Sequence, residues 1–142
     1  MMMKHQDLLD KLVVLLAGRA AEELFVGEIS TGASDDLRKV TKIAYSIVSI
    51  FGMNKDVGLL SYPKEEEMEM TKPYSDETAR LIDKEARDIV EQQYAVCKAL
   101  LLEKEELLKK FADLLFEKET VDEKTFYTTI IQEHKKKYYL IF

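Results

Sequence analysis

Long stretches of helical periodicity, broken by a few glycines and prolines, constrain the fold of this chain more than any other feature. Apolar residues recur at intervals of three and four over residues 7–25, 34–52 and 75–115, which is the spacing of one helix face. Glycine and proline fall mostly between these stretches, where helices end. The pattern predicts a mainly α fold of about four to five helices.

Local signals indicate where these helices begin and end. Ser34 and Ser75 are predicted N-caps, since a serine hydroxyl can accept a bond from an unpaired backbone N–H. Gly27 suits the left-handed position that often follows a helix. Gly18, within the first helix, is expected to permit the close approach of another element. The run EKEE at residues 103–106 interrupts the third stretch and predicts two helices there.

Three further segments are predicted outside these helices. Residues 57–62 are expected to be a short extended segment or strand, and residues 64–72 a solvated loop. Thr120 and Glu123 have the spacing of a capping box, which predicts a short final helix. The sequence ends in the biased tract KKKYYLIF, whose role stays open.

Composition excludes several classes of function. The formal net charge of −6 argues against nucleic acid as a partner, because phosphate binding requires a basic surface. The single cysteine, Cys97, cannot form an internal disulfide, and its place on an apolar stripe favours a packed core thiol over a reactive nucleophile. No run of about 18 apolar residues is present, so no membrane contact is expected from this segment. Neither GxxxxGK[ST] nor HExxH occurs.

Two adjacent acids, Asp35 and Asp36, open the second helix on different faces. At about 100° per residue, Asp36 lies within roughly 50° of the centre of the apolar face, whereas Asp35 points about 150° away and is expected to be exposed. A carboxylate directed at an apolar face needs compensation, since desolvating a bare charge is costly. Two interpretations of Asp36 stay open: it bonds backbone N–H groups of its own first turn, or it meets a cation or metal.

The consecutive glutamates of the first helix, Glu22 and Glu23, have an ordinary explanation. Each lies three or four residues after Arg19, which is the spacing of ion pairs on a helix surface. These residues alone predict surface acids and no functional site.

The motifs GRAAEEL, STGASDDL and FGM, in that order within residues 15–53, resemble a block of the FtsH family of membrane-anchored, ATP-dependent zinc metalloproteases. GLLSYP, KPYSDETARLIDKEAR and EKETVDEKTF resemble later parts of the same peptidase domain. The resemblance implies that residues 1–134 are the C-terminal part of that domain and that residues 135–142 are a divergent tail. DDLRKVT and KPYS are most similar to the mitochondrial m-AAA branch.

The resemblance also implies roles for two residues. In the FtsH family, zinc is held by two histidines of HExxH and by the last acid of STGASxD, which corresponds to Asp36. The first glutamate of AAEEL lies near the metal and supports a ligand, and it corresponds to Glu22. The HExxH motif, with its general-base glutamate, is absent from these 142 residues. The chain therefore holds no complete catalytic set and is expected to be inactive alone.

For the whole enzyme, the resemblance implies zinc-dependent peptide hydrolysis, with ATP used only by the full-length protein. It implies unfolded or membrane proteins as substrates and a homo- or hetero-hexamer. The implied location is the matrix side of the mitochondrial inner membrane, with a bacterial or plastid membrane as the alternative. A second hypothesis, motivated by the missing HExxH and the apolar stripe over residues 79–115, is a non-catalytic helical oligomerisation or adaptor module derived from that domain.

Overall fold

The computed structural model describes residues 2–62 and 73–118. The α-helices in this part of the chain are α1 (His5–Ala21), α2 (Ser34–Ser49), α3 (Asp76–Glu103) and α4 (Glu105–Lys118). A π-helical turn, Glu22–Val26, follows α1, and a 3₁₀ turn, Thr31–Ala33, precedes α2. No strand occurs among the described residues. The predicted mainly α fold is confirmed.

Several predictions concern residues beyond those described. The loop over residues 64–72, the capping box of Thr120 and Glu123, and the tail at residues 135–142 all lie outside the described ranges. The predicted division at EKEE lies within them and is confirmed, because the helix is interrupted at Lys104 between α3 and α4.

The chain divides into two compact units, Met1–Ala99 and Leu100–Phe142. The first unit contains α1, α2 and most of α3, and the second begins with the last residues of α3 and contains α4. Over residues 2–62 and 73–118, no helix combines the length and the apolar character needed to cross a bilayer.

The core of the first unit is formed by one apolar face of each of its helices. A cluster of Ala44 and Val48 from α2 with Ile82 and Ala86 from α3 is buried, as expected for residues spaced four apart on facing helices. From α1, the buried residues are Leu8, Leu12, Leu16 and Ala20. Cys97 is 1% exposed, and its Sγ lies 3.5 Å from the carbonyl oxygen of Val13. The predicted core position of this thiol is confirmed, and burial raises its pKa.

The helix termini confirm two predictions and correct a third. The Ser75 hydroxyl accepts the N–H of Thr78 at 3.2 Å, and Gly27 takes the left-handed conformation with φ 84°. The prediction that Ser34 is an N-cap is wrong, since Ser34 is already the first residue of α2 and no side chain caps that helix. The 3₁₀ turn extends the helical chain backwards, so Ser30 takes the capping role by accepting the N–H of Gly32.

Two other local predictions are settled by packing. Gly18 is exposed, and a Cβ built on it meets no described heavy atom within 4 Å beyond its own helix backbone, so no described element makes the predicted close approach. After α2 the chain turns at residues 55–57 and runs without regular structure to Tyr62, whose N–H bonds the carbonyl of Ser49. Of the two alternatives for residues 57–62, the strand is not formed in the described segment.

Candidate metal-ligand site

The connection between α1 and α2 begins with a π-helical turn. Its closing bond runs from the N–H of Gly27 to the carbonyl oxygen of Glu22, at 2.9 Å and across five residues. Apolar periodicity predicts an unbroken helix to Phe25, because a single widened turn barely alters the pattern. Glu22 and Glu23 are the first two residues of this widened turn. Turns of this kind occur often at functional sites.

Glu22 is hydrogen-bonded to a residue near the end of this connection. Its carboxylate accepts the hydroxyl of Ser30 at 2.6 Å and the backbone N–H of the same residue at 2.9 Å. These two bonds, with a smaller contribution from the positive charge of Arg19, lower the pKa of Glu22. The carboxylate is therefore ionised near neutral pH and closes the connection into a loop.

Ser30 also restrains the backbone that leads into α2. The same Oγ that donates to Glu22 accepts the N–H of Gly32 at 3.2 Å, within the 3₁₀ turn that leads directly into α2. Glu22 thus anchors the segment from which α2 begins. Ser30 was not predicted as a site residue, although a serine two residues before a glycine N–H is a known turn signal.

Asp36 lies in the first turn of α2 and is half-buried. Among the described residues, its carboxylate has no hydrogen-bond or ion-pair partner, so the interpretation in which it bonds its own first turn is not supported. Asp35 is exposed as predicted, with its side chain 84% accessible and 3.4 Å from Arg38. The predicted difference between the two acids is confirmed. The role of Asp36 as a zinc ligand stays a prediction.

Glu23 faces a different partner, on α3. The Tyr94 hydroxyl donates to its carboxylate, and the Lys98 ammonium lies 3.7 Å from it. Burial, and then this bond and the adjacent negative charge, raise the pKa of Tyr94 to about 12. Neither glutamate forms an ion pair with Arg19 among the described contacts. The predicted surface pairing is wrong, because each acid has a partner outside its own helix.

The Asp36 carboxylate could serve as one ligand of a metal site that has further ligands elsewhere. Over the described residues, no group of three or more His, Cys, Asp or Glu side chains is placed to hold a metal. A catalytic zinc takes three protein ligands and a water. A half-buried carboxylate without a described protein donor suits one of these three positions, and any further ligands would have to come from outside the described residues.

A cavity of about 290 Å³ between α1 and α2 is separate from this site. Its lining comprises Leu8, Lys11, Lys39, Lys42, Ile43, Ser46 and Phe51. Neither Asp36 nor Glu22 contributes to it, so the candidate ligand is not a pocket residue of this cavity.

Replacing Ser30 with alanine is expected to raise the pKa of Glu22 towards its ordinary value of 4.5. Because folding lowers the pKa of Glu22, its ionised carboxylate stabilises the folded chain at pH values above its ordinary pKa. This stabilisation is lost as the pH falls through the lowered pKa. Carboxyl-carbon NMR titration of the chain measures the shift. A Ser61→Ala variant, in an exposed and irregular segment, is the control and leaves the Glu22 titration unchanged. An unaltered Glu22 pKa in Ser30→Ala would contradict the bond assigned to the Ser30 hydroxyl.

The fold and the site together define a mainly helical unit with a half-buried carboxylate, Asp36, at the start of a helix. The sequence profile of peptidase family M41 matches residues 1–129. Since that match covers most of the chain, the protein belongs to peptidase family M41.

Relatives from a plant, an animal and a bacterium resemble this chain over most of its length. The rice (Oryza sativa subsp. japonica) mitochondrial ATP-dependent zinc metalloprotease FTSH 8 is 45% identical over 122 residues, which are 85% of this chain and 15% of the relative. The mouse (Mus musculus) mitochondrial inner membrane m-AAA protease component AFG3L2 is 48% identical over 82% of this chain and 15% of the relative. The Parabacteroides distasonis ATP-dependent zinc metalloprotease FtsH is 45% identical, over 82% and 17%. The chain therefore spans only a small part of these relatives.

Proposed function

We propose that this chain is the C-terminal part of the peptidase domain of an ATP-dependent, membrane-anchored zinc metalloendopeptidase. The observation that carries the proposal is Asp36, a half-buried carboxylate without a described protein partner, in the first turn of α2. Membership of peptidase family M41 and relatives named as zinc metalloproteases support it.

Asp36 would hold zinc together with two histidines of an HExxH motif that lies outside these 142 residues. When bound, zinc supplies a water of lowered pKa and an electrostatic partner for the developing oxyanion. The general base would be the glutamate of the same motif. The chain alone is therefore proposed to be inactive.

Hydrogen bonds within this chain would restrain the position of Asp36 before a metal binds. Glu22 accepts two bonds from Ser30, and Ser30 in turn accepts the N–H of Gly32, so the backbone entering α2 is restrained on the side of Asp36. A ligand held in place before the metal arrives loses less conformational freedom on binding. Glu22 thus supports Asp36 through the backbone, and Asp36 has no described partner to give up when a metal binds.

Substrates, assembly and location follow from the same proposal. Unfolded or membrane proteins would be delivered by ATP hydrolysis in parts of the enzyme outside this chain, which would assemble as a homo- or hetero-hexamer. Two of the relatives described above carry mitochondrial names, and one of these names the inner membrane; they support a location at the mitochondrial inner membrane, and its matrix side is the finer part of the proposal. A bacterial or plastid membrane is the alternative.

A non-catalytic oligomerisation or adaptor module is the second candidate. It is favoured by large apolar side chains left exposed in the second unit, among them Leu100, Leu102, Leu108 and Leu115. Patches of this type often mark contact surfaces. If the module functions alone, sedimentation of the 142-residue chain yields one discrete oligomer, whereas a monomer would contradict it.

A chimera tests the proposed function directly. Residues 1–129 replace the corresponding segment of the Parabacteroides distasonis relative, whose remaining sequence provides the host. We expect about one zinc ion per chain and ATP-dependent degradation of unfolded casein. The matched control replaces the HExxH glutamate of the host with glutamine, which retains zinc and loses proteolysis. A folded chimera that hydrolyses ATP but binds no zinc would overturn the proposal and favour the non-catalytic module.

A further inference from the structure

The two glutamates of the π-helical turn fasten it to two different parts of the first unit. Glu22 accepts both bonds from Ser30, whereas Glu23 accepts the hydroxyl of Tyr94 from α3. Because these acids are consecutive, a movement of one carries the backbone of the other with it. The turn therefore couples α3 to the segment that leads to Asp36.

A π-helical turn is rare and is found mostly as a single turn within or at the end of an α-helix. No residue of the turn is fully buried, although Leu24 is half-buried, so side-chain hydrogen bonds at its surface contribute to holding it. The hydrogen bonds of Glu22 and Glu23, the ion pair between Lys98 and Glu23, and the left-handed closure at Gly27 are described contacts that help to fix its conformation.

We propose that Tyr94 is a positioning residue for the Asp36 site: by donating to Glu23 it holds the π-helical turn in the conformation that keeps Glu22 on Ser30. The part of this proposal that concerns zinc rests on the proposed function. The coupling between Tyr94 and Glu22 is a property of this chain and is measured without metal.

Lys98 is not an adequate substitute for the tyrosine hydroxyl. Its ammonium lies 3.7 Å from the Glu23 carboxylate, and also 4.9 Å from the centre of the Tyr94 ring. A lysine ammonium is a mobile point charge without a fixed bond direction, whereas the Tyr94 hydroxyl is held by its rigid ring. Replacing Tyr94 with phenylalanine keeps the ring and its cation contact, and removes only the directed bond.

Amide hydrogen exchange on the 142-residue chain tests the coupling. In Tyr94→Phe we expect the N–H groups of Ser30 and Gly32 to exchange about fivefold faster, since local opening of the connection becomes easier. The Glu22 carboxyl-carbon titration should also move towards higher pH.

The matched control is Tyr45→Phe, which removes another tyrosine–carboxylate bond to α3. The Tyr45 hydroxyl donates to Asp83 at 2.6 Å and does not contact the π-helical turn. Tyr45→Phe should leave Ser30, Gly32 and Glu22 unchanged. Equal changes in both variants, or none in Tyr94→Phe, would overturn the proposed coupling.

Zinc titration of the chimera tests the consequence at the site. Variants of groups that support metal ligands typically weaken binding by about 10- to 100-fold. Tyr94 acts indirectly, through Glu23, Glu22 and Ser30, so we expect about tenfold weaker zinc binding, with Tyr45→Phe unchanged. Unaltered affinity in Tyr94→Phe would overturn the positioning role. Full zinc binding by Asp36→Ala would instead overturn the proposed function. The coupling between Tyr94 and Glu22 would then be decided by the hydrogen-exchange measurement alone.

Discussion

Replacing Asp36 with alanine in the chimera is expected to remove zinc and abolish proteolysis while ATP hydrolysis continues. Two histidines alone leave the metal one protein ligand short of the usual catalytic set. The loss of affinity should exceed the roughly 100-fold limit typical of groups that only support a ligand. Atomic emission measures zinc in the purified protein, and casein degradation and ATP hydrolysis are assayed on the same preparation.

Asp35→Ala is the matched control, because it changes the same residue type one position away. Asp35 is exposed and its described partner is Arg38, a surface pair that contributes about 0–1 kcal/mol to stability. This variant should keep zinc, proteolysis and ATP hydrolysis. Proteolysis that survives Asp36→Ala but not Asp35→Ala would show that the neighbouring acid is the ligand.

Replacing Ile47 with alanine is expected to have the largest effect on stability. Ile47 in α2 is 0% exposed, and truncating a fully buried isoleucine typically costs about 2–5 kcal/mol through lost burial and the cavity that remains. Urea unfolding of the 142-residue chain, followed by circular dichroism, measures the free energy of unfolding. Such a loss is a large part of the stability of a domain of this size.

The control for this prediction is Ile29→Ala, at a position that is 48% exposed. Truncation of an exposed side chain usually changes stability by less than about 0.5 kcal/mol. Similar losses in the two variants would contradict the burial assigned to α2. A smaller loss in Ile47→Ala than in Ile29→Ala would contradict the packing of the first unit.

The helices and the orientation of Asp36 could be predicted because both follow from local geometry. Burial of one helix face repeats every three to four residues, so α1, α2 and the pair α3 and α4 are visible as periodic stretches. The same geometry places Asp36 towards the apolar face and Asp35 away from it. The structure confirms the difference in their burial.

The partners of the acids could not be predicted in this way. Tyr94 lies 71 positions after Glu23 in the sequence, and only the packing of α3 brings them together. The π-helical turn adds no residue type that distinguishes it from an ordinary helix end. Serine is a common N-cap residue, but the backbone before Ser34 is already helical because the 3₁₀ turn begins at Thr31. Local propensity is overridden wherever tertiary contacts or a preceding turn decide the backbone.

A crystal structure of the zinc-loaded chimera, with anomalous scattering at the zinc edge, shows whether Asp36 binds the metal. We expect a carboxylate oxygen of Asp36 about 2.0–2.2 Å from the metal, with Glu22 still bonded to Ser30. Zinc bound by Asp35 or Glu22, or seated without contact to Asp36, would contradict this expectation.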